Sequence, residues 1–153
     1  MVTTVKIEGL KELEKALEEL PRATGKSVLR RTLKKAAQPV AEDMRARAPD
    51  DPATHGNDLK SSIGVSTKLS KRQARIHRKM FRSDKASVEM FVGAGALPQA
   101  HLQEFGAPQH GPQPFARPAW DGNKMQVLEA IKDTLGAEIA KAAKRLAKKR
   151  AKG

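Results

Sequence analysis

The chain has 153 residues, 39% of them hydrophobic and only 3% aromatic, which suits one domain with a limited core of Leu, Val, Ile, Met and Ala and argues against large buried pockets. It has no cysteine, which excludes disulfides and thiolate metal sites and agrees with assembly in a reducing cytoplasm. Thirty Lys and Arg against 17 Asp and Glu give a formal net charge of +13, pointing to a polyanionic neighbour.

The start lacks a basic region followed by an apolar core, and no apolar run approaches the roughly 18 residues that cross a bilayer, so neither a secretion signal nor a membrane partner is expected. Met1 to Leu20 is slightly acidic. Leu10, Leu13, Leu17 and Leu20 share one helical face, and Pro21 ends that helix or begins the next. From Arg22 to Arg47 a long amphipathic helix carries Val28, Leu29, Leu33, Ala36, Ala37, Val40 and Met44, with a kink expected at Pro39. Pro49, Asp50, Asp51 and Pro52 end it.

Beyond that loop the period changes to two. Ile63, Val65, Thr67 and Leu69 alternate with Gly64, Ser66 and Lys68, and Val88, Met90 and Val92 alternate with Glu89 and Phe91 before Gly93 and Gly95. These two strands are expected to pair antiparallel through a basic connection from Ser70 to Ala86. Ser70 and Gln73 have the spacing of a capping box, so part of the connection is either a short helix or an extended hairpin arm.

The stretch AHLQEFGAPQHGPQPFARPAW, Ala100 to Trp120, reads as a structured elbow. A short helix over LPQAHLQEF is stopped by a left-handed Gly106, and Pro108, Pro112, Pro114 and Pro118 restrict the return path. Phe105, Phe115 and Trp120 are then three apolar anchors placed close together, for a small core or for a partner. Met125, Leu128, Ile131, Leu135, Ile139, Ala142 and Leu146 form the stripe of a long C-terminal helix packing on Val28 to Met44, and AKKRAKG is expected to fray. The fold class is therefore α+β: N-terminal helices and a long C-terminal helix on a small antiparallel sheet with an extended basic arm. Residues 1–146 form a single domain, the arm covers about 70–86, and 147–153 is a basic tail.

A residue inventory favours no enzyme. The four histidines, His55, His77, His101 and His110, are scattered, and no Gly-rich phosphate loop or nucleophile elbow is present. His101 and Glu104 share a helical face, which suits a hydrogen-bonded structural pair better than a metal site lacking further ligands. Asp50, Asp51 and Asp58 near His55 raise a metal-dependent nuclease, but their proline-rich loop explains them as turn and cap residues. No catalytic residue, metal or cofactor is expected.

Ala100, His101, Glu104, Phe105 and Gly106, followed by Pro114, Phe115, Arg117, Pro118, Ala119 and Trp120, resemble the signature of a tail-component family of tailed bacteriophages, prophages and gene transfer agents. APDDPATHGNDLKSSI, Ala48 to Ile63, is similar to that family's turn after its long N-terminal helix, and GLKELEKALEEL, Gly9 to Leu20, to its usual start. Lys71 to Lys85 and the residues after Leu146 are not anchored by the resemblance.

What it implies is a non-enzymatic virion protein of the neck and tail region, assembled in the host cytoplasm. Such a protein forms a ring, expected to be hexameric, in tail completion or head–tail joining. Its expected partners are copies of itself, neighbouring neck and tail proteins, and packaged DNA. The residues themselves, apart from the resemblance, add that His101 to Trp120 would supply the interface elbow and that the basic Arg72, Arg75, Arg78, Lys79 and Arg82 would face the DNA channel or an acidic adjoining ring. The runner-up, from charge alone, is a free nucleic-acid-binding protein whose basic arm and tail grip the phosphate backbone. A small nuclease-like enzyme using His101 or Asp58 is the third reading.

Overall fold

In a computed structural model, the fold is described for residues 9–49, 58–83, 88–95 and 97–153. It is α+β, as expected. Helices α1 (Leu10–Glu18) and α2 (Arg22–Arg47) are followed by a single turn, α3 (Leu59–Ser62), and strand β1 (Gly64–Ser66). Helix α4 (Lys71–Met80), strand β2 (Phe91–Gly93) and helices α5 (Pro98–Phe105) and α6 (Ala116–Lys152) complete the order.

Two antiparallel helices form the frame. The 37-residue α6 packs along the 26-residue α2, and their contacts fall into two buried clusters. At one end Val28 meets Leu135, Ile139 and Ala142, with Leu13, Leu17 and Leu20 of the α1 region packed against them. At the other end Val40, Ala41 and Met44 meet Phe115 and Ala119, together with Leu59 and Ile63 from the segment entering the sheet. Burying each large side chain contributes about 1.5–3 kcal/mol. At this second end Asn123 Nδ2 donates to Asp43 Oδ2 at 2.9 Å, fixing the register of the pair.

The long α2 has the predicted bounds and runs through Pro39 without interruption. Its buried face is Val28, Thr32, Ala36, Val40 and Met44 in steps of four, so Thr32 rather than Leu33 faces α6. The stripe on α6 is correct from Leu135 to Ala142, but Met125 is 52% exposed because Ala119, Asn123 and Val127 carry the inward phase there. The residues expected to fray, 147–152, continue α6 to Lys152.

The strands pair antiparallel, with Val65 opposite Val92, and are shorter than their alternation suggests. Ile63 caps α3, its N–H reaching Lys60 O at 3.3 Å. After Ser66 the chain bends, Lys68 N donating to Ser66 Oγ at 3.0 Å. Of the two forms open to the basic connection the structure has the short helix, α4, in place of an extended arm, started by the Ser70 and Gln73 capping box: Gln73 N donates to Ser70 Oγ at 3.3 Å and Ser70 N to Gln73 Oε1 at 3.0 Å. The loop carrying Asp50, Asp51, Pro52 and His55, and the arm residues Lys85 and Ala86, lie outside the described residues.

Candidate interaction surfaces

The elbow is a clasp between two helices. Gly106 stops α5 at φ 86°, ψ 167°, an extended region open to glycine rather than the left-handed helical one expected. The chain then closes a tight hairpin in which Ala107 and His110 exchange both backbone hydrogen bonds, at 3.0 and 3.1 Å, and Gln113 N donates to Gln103 O at 2.7 Å. This brings the first turn of α6 back over Glu104.

No side chain of α6 caps its own start. The Glu104 carboxylate does so from α5. Its Oε2 accepts the backbone N–H of Phe115 at 2.8 Å and of Ala116 at 2.9 Å, and its Oε1 accepts that of Arg117 at 3.0 Å. Three donors that a helix N-terminus leaves unpaired are thus satisfied by one anion at the positive end of the dipole. Partial burial raises the Glu104 pKa, but the hydrogen bonds from Ala116, Arg117 and Phe115 and the Arg117 charge outweigh it and hold the carboxyl below its usual value. Pro118 fits this first turn because its missing N–H has no intrahelical partner to lose.

This geometry corrects two expectations. His101 and Glu104 do not pair: the imidazole lies against Phe105, ring centroids 6.2 Å apart, while Glu104 serves the backbone. Nor do the three aromatic anchors form one cluster. Phe115 is buried in the α2–α6 core, whereas Phe105 and Trp120 are 59% and 50% exposed. The Arg117 guanidinium sits 4.7 Å from the Phe105 ring centroid, a cation–π contact, and Leu102 is exposed one turn before Phe105. Leu102, Phe105, Arg117 and Trp120 thus leave apolar and Arg surface outside the core at this end of the molecule.

Helix α4 is the second surface, and none of its residues is buried. His77 turns it toward the sheet, edge-on to Phe91 at 5.3 Å and tilted against Phe81 at 4.8 Å, with Nε2 3.3 Å from Glu89 Oε1. At 100° per residue, Lys71, Arg72, Arg75, Arg78 and Lys79 fall within an arc of about 120° turned away from the sheet. Arg82 lies in the turn just beyond the helix and is exposed. None of these cations is paired with an acid among the described residues. Beside them Ile76, Met80 and Phe81 are 47%, 70% and 48% exposed, a set of apolar positions that the charge pattern alone does not reveal.

A third feature was not legible as a site. Glu138 of α6 is nearly buried; it accepts from Lys35 Nζ at 3.1 Å, with Arg31 Nε at 3.2 Å and Lys141 Nζ at 3.8 Å. The Lys35 hydrogen bond lowers the Glu138 pKa despite burial, and the charges of Lys35, Lys141 and Arg31 add to it. Its surroundings are structural, joining α2 to α6.

Of the acids considered for metal chemistry, Asp58 accepts the Lys60 N–H at 3.0 Å as the cap of α3, and Asp50, Asp51 and His55 lie outside the described residues. Among the described residues no group of three or more His, Cys, Asp or Glu converges as a metal site, and no helix is long and apolar enough to cross a membrane.

Residues 11–106, well over half of the chain, match the family model described as "Bacteriophage HK97-gp10, putative tail-component". No curated protein and no solved structure matches the chain. The matched span ends at Gly106, so the clasp joins the matched region to a long helix beyond it.

Proposed function

Because the chain belongs to the bacteriophage HK97-gp10 tail-component family, we propose that it is a non-enzymatic structural subunit of the virion. It forms a ring where the tail meets the neck, in tail completion or head–tail joining, and sixfold symmetry would match the tail tube. The observation that carries this reading beyond the family is α4, whose cations have no acidic partner among the described residues and which exposes Ile76, Met80 and Phe81 beside them. Together with the Leu102, Phe105, Arg117 and Trp120 surface it supplies two chemically different contact regions. A closed ring of heterologous interfaces needs such a pair.

In this role Arg72, Arg75, Arg78, Lys79 and Arg82 meet an acidic face of an adjoining ring or the DNA path. His101, Glu104, Gly106, Pro114, Phe115 and Pro118 hold the elbow that presents Phe105, Arg117 and Trp120. A free nucleic-acid-binding protein accounts for the charge but not for the apolar residues beside it on α4.

Electron microscopy of the assembled particle tests the proposal. A ring of this subunit between the neck and the tail tube is the expected result. Its absence from particles would overturn the structural role. Unimpaired assembly with Arg72, Arg75 and Lys79 all changed to Glu would remove α4 from it.

A further inference from the structure

The last three turns of α6 lie outside the family match and outside the role just assigned, and they have their own chemistry. After Glu138 the sequence contains no acid, while Lys141, Lys144, Arg145, Lys148, Lys149, Arg150 and Lys152 follow within a continuous helix. All of these but Arg150 fall within an arc of about 140°. Only Lys141 is engaged, by Glu138 at 3.8 Å; the other six have no acidic partner among the described residues and are exposed.

Where this segment passes the start of α2, Arg145, Leu146 and Lys149 face Ala23, Thr24 and Ser27 across a shallow groove of about 360 Å³. Thr24 and Ser27 therefore line the same groove as the Arg145 and Lys149 cations, a combination of residue types that suits phosphate oxygens.

We propose that this end of α6, with its groove against α2, is a binding site for the phosphate backbone of duplex DNA. The contrast with α4 supports a nucleic acid over an acidic protein. Protein interfaces need an apolar centre and are poor in Lys. α4 offers Ile76, Met80 and Phe81, whereas residues 143–152 offer alanines and a half-buried Leu146. The cations are also already ordered on a helix, and Lys144 to Lys152 spans about 12 Å at 1.5 Å per residue. A duplex carries one charge per about 1.7 Å of axis, enough phosphates along that length to engage four or more cations. The site does not depend on ring formation, so its test is independent of the role proposed above.

The experiment is the binding of the full chain to a 20-base-pair duplex of arbitrary sequence by fluorescence anisotropy, across a NaCl series. Two variants with equal charge removed are compared. One has Lys144, Lys148, Lys149 and Lys152 changed to Gln, and the other has Arg72, Arg75, Lys79 and Arg82 changed to Gln. Gln keeps helix propensity close to that of Lys and Arg, and circular dichroism checks that both variants fold. The α6 variant is expected to bind at least about tenfold more weakly and to lose about three to four from the slope of log K against log salt, while the α4 variant loses clearly less of both. Equal losses in both variants would reduce the binding to bulk charge and overturn the assignment. So would an α6 variant that binds like the parent, or polyglutamate competing as well as DNA at equal charge.

Discussion

Glu104 anchors Phe115: the carboxylate on α5 accepts the Phe115 backbone N–H at 2.8 Å, and this holds the aromatic ring in the core between the two long helices. The two residues belong to the two halves of the elbow motif, so that motif is first a clasp. Glu104→Ala removes the anion from three backbone donors at once. Helix caps contribute about 0.5–2 kcal/mol, and a loss in the upper part of that range is expected in urea or thermal unfolding. Glu104→Gln, which keeps an acceptor oxygen, should lose less. A Glu104→Ala protein as stable as the parent would show that α6 is positioned by packing alone.

Stability should fall with acid for an identifiable reason. Glu104 and Glu138 both titrate below their usual value of 4.5 in the folded chain. The stabilisation from a depressed carboxyl is complete above its unfolded pKa and is lost as pH drops through the lower folded pKa. Denaturation midpoints are therefore expected to change little from neutral pH to about 5 and to decline below that. Glu138→Gln should be less stable than the parent at neutral pH and converge with it in acid. Parallel pH profiles for the two proteins would rule out the Glu138 ion pairs as a source of the acid sensitivity.

The elements visible in the sequence were those whose signals are local. Arg22 to Arg47 declares itself by spacing and by its flanking prolines, and Ser70 with Gln73 by a box three residues apart. The strands are shorter than the alternation suggests, because alternation at Thr67 and Leu69 says nothing of the bend where Lys68 turns to Ser66 Oγ. His101 and Glu104 stay apart for a related reason. Helical spacing made them neighbours, but three unpaired N–H groups from a distant helix start are stronger claimants on the carboxylate than an imidazole one turn away. Exposure at Phe105, Trp120, Met80 and Phe81 depends on which faces the two clusters leave uncovered, which no local pattern records.

Thr32 is 1% exposed on the face of α2 that meets α6, and its hydroxyl has no hydrogen-bond partner among the described residues. A buried unsatisfied polar group costs about 1–3 kcal/mol, and valine has the same branched shape without it. Thr32→Val is expected to raise the unfolding free energy by about 1 kcal/mol, read from the denaturant midpoint at an unchanged m-value. A lower midpoint would mean that the hydroxyl is satisfied in solution, by water or by the i−4 carbonyl.

Two glycine-to-alanine changes should have opposite signs. At Gly106 the φ of 86° is rare for residues with a Cβ, and an added Cβ would lie 3.0 Å from Pro112 N and 3.2 Å from Pro112 Cδ. Because Pro112 belongs to the hairpin that returns the chain to Glu104, relieving that clash moves the clasp itself. Gly106→Ala is expected to cost about 1–3 kcal/mol and to lower stability much as Glu104→Ala does. The double variant should lose less than the sum, since each disturbs the same junction. Gly122 sits within α6, where an added Cβ meets nothing within 4 Å. There alanine only limits the unfolded chain and favours the helix, so Gly122→Ala should stabilise by about 0.5–1 kcal/mol. A neutral Gly106→Ala beside a stabilising Gly122→Ala would show that the elbow adapts and that α6 does not rely on it.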